Sequence, residues 1–162
     1  MLPRCRTLYK GRVPSVDSPL MMTASEARVR YAETDQMGVA YHANYLVWCE
    51  IGRTDFIRDL GVTYAEMERE GLQLAVADAQ VRYHSSARYD DVVRIETRLT
   101  GVASRMVEFS YELLRVDAPG ATSGARLASA RTKLISIAPG GRPVAIPARF
   151  RTILEAAVSA GD

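Results

Sequence analysis

Asp35, Gly38, Tyr41 and His42 fall close together in TDQMGVAYHAN (34–44), directly ahead of a stretch with helical periodicity. A carboxylate is a nucleophile in its own right, or a base that activates water. A helix start offers backbone N–H groups with no internal acceptor, together with the positive end of the helix dipole. That combination favours negative charge developing on a carbonyl oxygen placed there. A carboxylate beside a helix start therefore suits attack at a carbonyl carbon. Gly38 suits a tight turn or close approach of the backbone to a bound molecule. Each residue also has a plainer reading. Loop aspartates form turns and caps, Asn44 is placed to cap the helix, and the His42 side chain either orients the loop or bonds a ligand.

The elements that must hold these residues follow from periodicity. Residues 26–33, EARVRYAE, alternate and predict a first strand, with Val29 and Tyr31 on one face and Arg28 and Arg30 on the other. Residues 44–60 predict a helix, because Tyr45, Trp48, Cys49, Phe56 and Leu60 recur at three- to four-residue spacing with Gly52 among them. Glu50, Arg53, Asp55 and Arg58 take its more exposed sides, and Gly61 is an αL stop. Thr63 and Glu66 form a T-x-x-E box that opens a short second helix, which Gly71 ends. Four strands follow, over 72–84, 91–100, 106–116 and 125–137, with turns at 88–91 and 101–104 and a loop at 117–124. Pro139, Gly140 and Gly141 close the last strand, and 147–158 predicts a C-terminal helix. Short connections imply antiparallel pairing. A sheet buried on one face needs an apolar cover, and the 44–60 helix is the long apolar element at hand. The expected fold class is α+β: a curled antiparallel sheet of about five strands wrapped around one long central helix.

This order of elements, with YAETDQMGVAYHANYLVWCEIGR (31–53), resembles the hotdog-fold acyl-CoA thioesterases of the 4-hydroxybenzoyl-CoA and YbgC type. Their pattern is approximately D-x-x-G-x-x-Y-H-x-x-Y, followed by an acidic residue and an arginine on the helix. Here Asp35, Gly38, Tyr41, His42, Tyr45, Glu50 and Arg53 meet it, and GRPVAIP (141–147) matches the tail motif. The resemblance spans about residues 26–155. It implies hydrolysis of a thioester to free acid and CoA, with Asp35 as nucleophile or general base and the backbone N–H of His42 polarising the carbonyl. Tyr41 is implied to pack beside the acyl chain. Gly38, Tyr45, Arg88, Arg105 and Lys133 are implied to contact substrate, with Arg131 a further strand arginine of the same kind. Trp48, Leu74 and Val76 would join Tyr41 and Tyr45 in shaping the acyl pocket. Tyr45, Trp48 and Phe56 also have a plain reading as core. Some hotdog thioesterases carry their carboxylate on the central helix, which makes Glu50 the reserve candidate, although a Glu50–Arg53 ion pair competes for it. No cofactor and no metal are implied. The expected partner is an acyl-CoA or acyl-carrier-protein thioester. A homodimer or homotetramer is expected, because a five-stranded sheet leaves edges to be paired. The alternative is a non-catalytic hotdog module that binds acyl-CoA or acyl-carrier protein. The loop has no Asn-Pro of the kind that hydratase branches use, and His84 has no obvious partner in the sequence.

Composition sets the outer limits. The 162 residues are 48% hydrophobic and 25% charged, an ordinary globular balance. The formal charge of +2 comes from the first 20 residues, where Arg4, Arg6, Lys10 and Arg12 stand against Asp17 alone. Bulk charge therefore gives no support to a nucleic-acid partner. Cys5 and Cys49 make no metal-ligand or disulfide spacing, which points to a reducing, cytoplasmic setting. No apolar run approaches the roughly 18 residues of a membrane span. Residues 1–22 are expected to be a disordered or mis-started basic extension, with 23–158 a single domain.

Overall fold

The computed structural model describes residues 21–159. The chain runs through β1 (Met22–Arg28), a 3-10 turn (Tyr31–Glu33), α1 (Asn44–Asp59), α2 (Tyr64–Arg69), β2 (Gln73–Tyr83), β3 (Val92–Val102), β4 (Met106–Val116), β5 (Ala125–Ile137) and α3 (Ala148–Ser159). The five strands form one sheet in the order β1-β3-β4-β5-β2, with every neighbouring pair antiparallel. This is the expected α+β arrangement, a curled sheet carrying α1 against β1, β3 and β4.

The strands that alternate most clearly lie where the pattern puts them. Val93, Ile95, Thr97 and Leu99 of β3 point into the core, as do Val107, Phe109, Tyr111 and Leu113 of β4. β3 does not stop at Thr100. A bulge between Leu99 and Gly101 carries pairing on to Val102, so Gly101 belongs to the strand and not to the turn. The first strand is displaced towards the N-terminus. Residues 22–28 pair with Arg98–Val92, and the stretch read as the strand's second half folds as the 3-10 turn. Val29 is buried while Tyr31 stands out into solvent, so the two do not share a face. The reason is chemical. The inward residues of β1 include Thr23 and Ser25, whose hydroxyls donate to Asp59 at 3.0 Å and Asp55 at 2.7 Å on α1. A strand that meets its helix through hydroxyl–carboxylate bonds has no hydrophobic alternation to read. β1 also takes in Met22, one residue inside the stretch read as an extension; residues 1–20, with Cys5, lie outside the described residues.

α1 buries Tyr45, Trp48, Cys49, Gly52, Phe56 and Ile57. Gly61 follows it at φ +81°, the left-handed stop that glycine adopts at no steric cost. α2 opens as its T-x-x-E box spells: Glu66 N–H donates to Thr63 Oγ1 at 3.2 Å, and Thr63 N–H donates to Glu66 Oε2 at 2.8 Å. α1 is not alone in covering the sheet. α3 lays Phe150, Leu154 and Ala157, one or two turns apart, into the same core beside β3. The GRPVAIP segment returns the chain to the β3–β5 end, through Val144 N–H to Ser136 O and Ile146 N–H to Ser104 O, both at 2.9 Å.

Gly52 marks the closest approach of α1 to the sheet. A Cβ there would collide with Thr97 Oγ1 and lie 2.8 Å from Ile95 Cγ2, both on buried side chains of β3. Gly52→Ala is expected to destabilise the fold by about 1–3 kcal/mol through overpacking, against the stabilisation that alanine normally brings inside a helix. Urea unfolding midpoints of the two proteins check the sign.

Candidate active site

The 3-10 turn begins the site. Glu33 is buried, and its carboxylate accepts from Arg30 N–H at 2.8 Å and Arg30 Nη2 at 2.9 Å. Burial alone would raise the Glu33 pKa. The bonds and charge from Arg30 outweigh it and hold the carboxyl below the usual range. The Glu33 main-chain oxygen does a separate job. It accepts both Tyr41 N–H and the Asn44 side-chain Nδ2–H, each at 2.8 Å. Asn44 is therefore not the helix cap. It is the first helical residue, and its carboxamide reaches back to tie α1 to the turn.

Between these ties the chain makes a small hairpin. Thr34 and Ala40 form an antiparallel bridge, Asp35 N–H donates to Val39 O at 2.9 Å, and Gly38 N–H donates to Asp35 O at 2.9 Å. Gly38 takes φ +71°, and nothing lies within 4 Å of where a Cβ would stand. Its requirement is the conformation of a tight turn, with no protein atom crowding it. Asp35 Oδ1 accepts Met37 N–H at 2.8 Å, so the turn-forming reading of this residue is real. That bond uses one carboxylate oxygen. Oδ2 has no partner among the described residues. A further tie, Ala40 N–H to Ala87 O at 2.8 Å, fastens the hairpin to the β2–β3 connection.

The start of α1 is bare. Ala43 stands at the cap position with helical φ −66° and ψ −24°, and no side chain caps it. Among the described residues, the N–H groups of His42 and Ala43 donate to no acceptor. These free amides sit at the positive end of the helix dipole. They follow directly on Tyr41, which is bonded to the base of the Asp35 hairpin through Glu33. Tyr41 and His42 are both exposed, with ring centroids 4.3 Å apart.

The other expected residues divide. Tyr45 is 2% exposed, and its hydroxyl accepts Ala87 N–H at 3.0 Å. Its ring lies between Trp48 and Tyr83, at 4.8 and 5.1 Å, so Tyr45 backs the site from the core. Trp48 and Phe56 are buried, as their core reading has it. Arg88 follows Ala87 and is exposed beside the hairpin, in a turn closed by Arg88 N–H to Asp91 Oδ2 at 2.8 Å. Arg105 and Lys133 lie far away in the same chain. Tyr83 pairs with Ala128 and Met106 with Ile135, a separation of about 23 Å along β5 at a strand's usual rise. Lys133 pairs with Glu108 at 3.2 Å, and Arg131 is exposed next along β5. Glu50 opens onto a separate shallow groove on the outer side of α1, with Val47, Ile51 and Arg58, and lies 3.8 Å from a largely buried Arg53. Leu74 is half-buried and Val76 exposed on β2.

Two features escaped sequence reasoning. His84 does have a partner, since its Nε2 lies 3.1 Å from Ser129 Oγ on β5. Tyr83 places its hydroxyl 3.0 Å from the His42 carbonyl oxygen, across forty-one residues of sequence. Neither has a local signal, because both contacts exist only once β2 lies beside β5 and the helix start. Burial pushes the Cys49 thiol up to about 12, so it is neutral near pH 7 and is no nucleophile. Among the described residues, no three His, Cys, Asp or Glu side chains gather as a metal site.

Comparison with known proteins bears on the family and the fold. The family model of the thioesterase-like superfamily matches residues 29–154. A Bacillus subtilis protein provisionally named acyl-CoA thioesterase YneP is 47% identical over 92 residues, 57% of this chain and 67% of that protein. An Aquifex aeolicus protein provisionally named an esterase is 30% identical over 128 residues, 79% of this chain and 94% of its own. The crystal structure of a DHNA-CoA thioesterase from Staphylococcus aureus superimposes with a TM-score of 0.74 at 32% identity, covering 85% of this chain and 89% of that one. On the matched span, the strand order and the helix laid on the sheet, the chain belongs to the thioesterase-like superfamily and has its hotdog fold.

Proposed function

We propose that the chain is an acyl-CoA thioesterase, a hydrolase that cleaves an acyl thioester to free acid and CoA. One observation carries the reading: a carboxylate with a free oxygen sits on a short hairpin whose base, the Glu33 carbonyl, is bonded to Tyr41 and Asn44 on either side of the bare amides that begin α1. Asp35 acts on the carbonyl carbon. As a nucleophile, its oxygen bonds to that carbon, the C–S bond breaks, CoA leaves as thiolate, and water then cleaves the resulting anhydride. As a general base, it takes a proton from water while the hydroxide adds. Both routes put negative charge on the carbonyl oxygen, and the His42 N–H receives it. A thiolate is a weak enough base to leave without strong acid assistance. Tyr41 lies along the acyl group, Gly38 leaves room at the mouth, and Tyr45 supports both from behind.

We further propose a cytoplasmic homodimer or homotetramer with shared sites. No helix among the described residues is long and apolar enough to cross a membrane. Among the described residues β2 pairs only with β5 and is mostly exposed, which leaves its second edge open there. Leu46, Val47 and Ile51 leave an apolar strip exposed on α1. A twofold axis at the β2 edge joins the two sheets antiparallel. The end of β5 near Arg105 and Lys133 in one protomer then approaches the Tyr83 end of its partner. In that arrangement Arg88 of one chain, with Arg105 and Lys133 of the other, takes the CoA phosphates.

The test follows thiol release with a thiol-reactive dye, across acyl-CoA chain lengths, aromatic acyl-CoAs and the matching acyl-carrier proteins. CoA release is expected. In Asp35→Asn, kcat falls by about 10²–10⁴-fold while the melting temperature holds. Flat traces alongside measurable acyl-CoA binding contradict hydrolysis and leave a binding module; turnover only with the carrier protein replaces CoA as the partner. Sedimentation at micromolar concentration is expected to give a dimer or tetramer, and a monomer alone overturns the shared site.

A further inference from the structure

Tyr83 ends β2, and its hydroxyl donates to the His42 carbonyl oxygen at 3.0 Å. That carbonyl shares a planar peptide unit with the Ala43 N–H and points the opposite way. The preceding unit is held in the same manner, since Asn44 N–H donates to the Tyr41 carbonyl at 2.9 Å and so turns the His42 N–H outward. Both bare amides are thus aimed from behind, through their own carbonyls. The two holds differ in origin. The hold on the Tyr41 carbonyl is a bond within the helix start. The hold on the His42 carbonyl depends on β2, because the only other donor to it among the described residues, Tyr45 N–H, lies at 3.4 Å, long for an N–H···O bond. The Tyr83 ring is itself fixed, edge to face on Tyr45 at 5.1 Å and 89°, and Tyr45 is anchored by Ala87 N–H. A carbonyl that accepts a hydrogen bond makes the N–H of its own peptide a better donor, because bonded chains polarise one another.

We infer that Tyr83 is a positioning residue of the active site: its hydroxyl orients and polarises the 42–43 peptide at the helix start, so that the edge strand β2 sets the strength of the Ala43 N–H, which joins the His42 N–H as a second donor to the substrate carbonyl. The inference rests on the hydrolytic reading above. It adds a side chain that acts on the site through the backbone.

Tyr83→Phe separates the hydroxyl from the ring packing. The loss of one neutral hydrogen bond corresponds to a fall in kcat of about 3- to 10-fold. KM for the acyl-CoA is expected to stay within about twofold, and the melting temperature to hold. In the ¹⁵N spectrum of the ligand-free protein, the Ala43 amide is expected to move upfield, with the amides of α2 and β4 unmoved. An unchanged kcat overturns the inference, as does a kcat loss matched by general loss of fold. If the wild-type chain releases no CoA from any thioester, the hydrolytic reading fails by itself. The hold of Tyr83 on the peptide is then read from Ala43, and an unmoved Ala43 resonance in Tyr83→Phe overturns it.

Discussion

The Glu33 main-chain oxygen accepts two donors, the Tyr41 N–H and the Asn44 carboxamide, and the relation between the Asp35 hairpin and the start of α1 follows from that pair of bonds. The eight-residue span from Asp35 to His42 has many conformations open to it, and ordering each residue costs about 1–2 kcal/mol of conformational entropy. The double acceptor closes the span at its base. The Arg30–Glu33 cap fixes the acceptor itself, and the Ala40–Ala87 bond fastens the hairpin to the sheet connection. Because the bond to Glu33 draws Asn44 one residue inside the helix and leaves Ala43, which has no side-chain acceptor, at the cap position, no side chain caps the helix. The bare end is thus a consequence of how the loop is tied. It leaves the amides unspent for a ligand.

The same economy explains what could be read from the residues alone. α1, α2, β4 and β5 were legible because their burial is hydrophobic and their ends carry recognisable stops and caps, such as Gly61 and the Thr63–Glu66 box. β1 was not, since Thr23 and Ser25 meet α1 through carboxylates and give no apolar alternation. Asn44 was misread because an asparagine before an apolar helix has two uses for its amide, and only the distant Glu33 carbonyl decides between them. The motif carried Asp35, Gly38, Tyr41 and His42 as a unit; Asp35 and Gly38 lie in the hairpin, Tyr41 is tied at its base, and His42 follows at the helix start. Tyr83 and His84 depend on partners forty or more residues away, at the helix start and on β5, which spacing along the chain does not encode.

The far placement of Arg105 and Lys133 has a physical meaning beyond a missed contact. A single protomer puts its helix start at the Tyr83–Ala128 end of the β2–β5 pair, with Lys133 near the middle of β5 and Arg105 beyond the Met106–Ile135 rung towards its other end. In the proposed twofold dimer, antiparallel joining of β2 edges reconciles the two. It would also explain why an eleven-residue edge strand is left so exposed in the isolated chain. The edge that invites pairing is the same strand that ends in Tyr83, so assembly and the strength of the amides would be linked through one element.

The central claim is that a thioester carbonyl lies between Asp35 and the amides of His42 and Ala43. A crystal structure of Asp35→Asn with an intact acyl-CoA bound tests it most directly. The account predicts the carbonyl oxygen within hydrogen-bond reach of the His42 nitrogen, about 3 Å, and the carboxamide of residue 35 facing the carbonyl carbon. An acyl-CoA seated instead in the groove beside Glu50, with the helix start still bare, would contradict it.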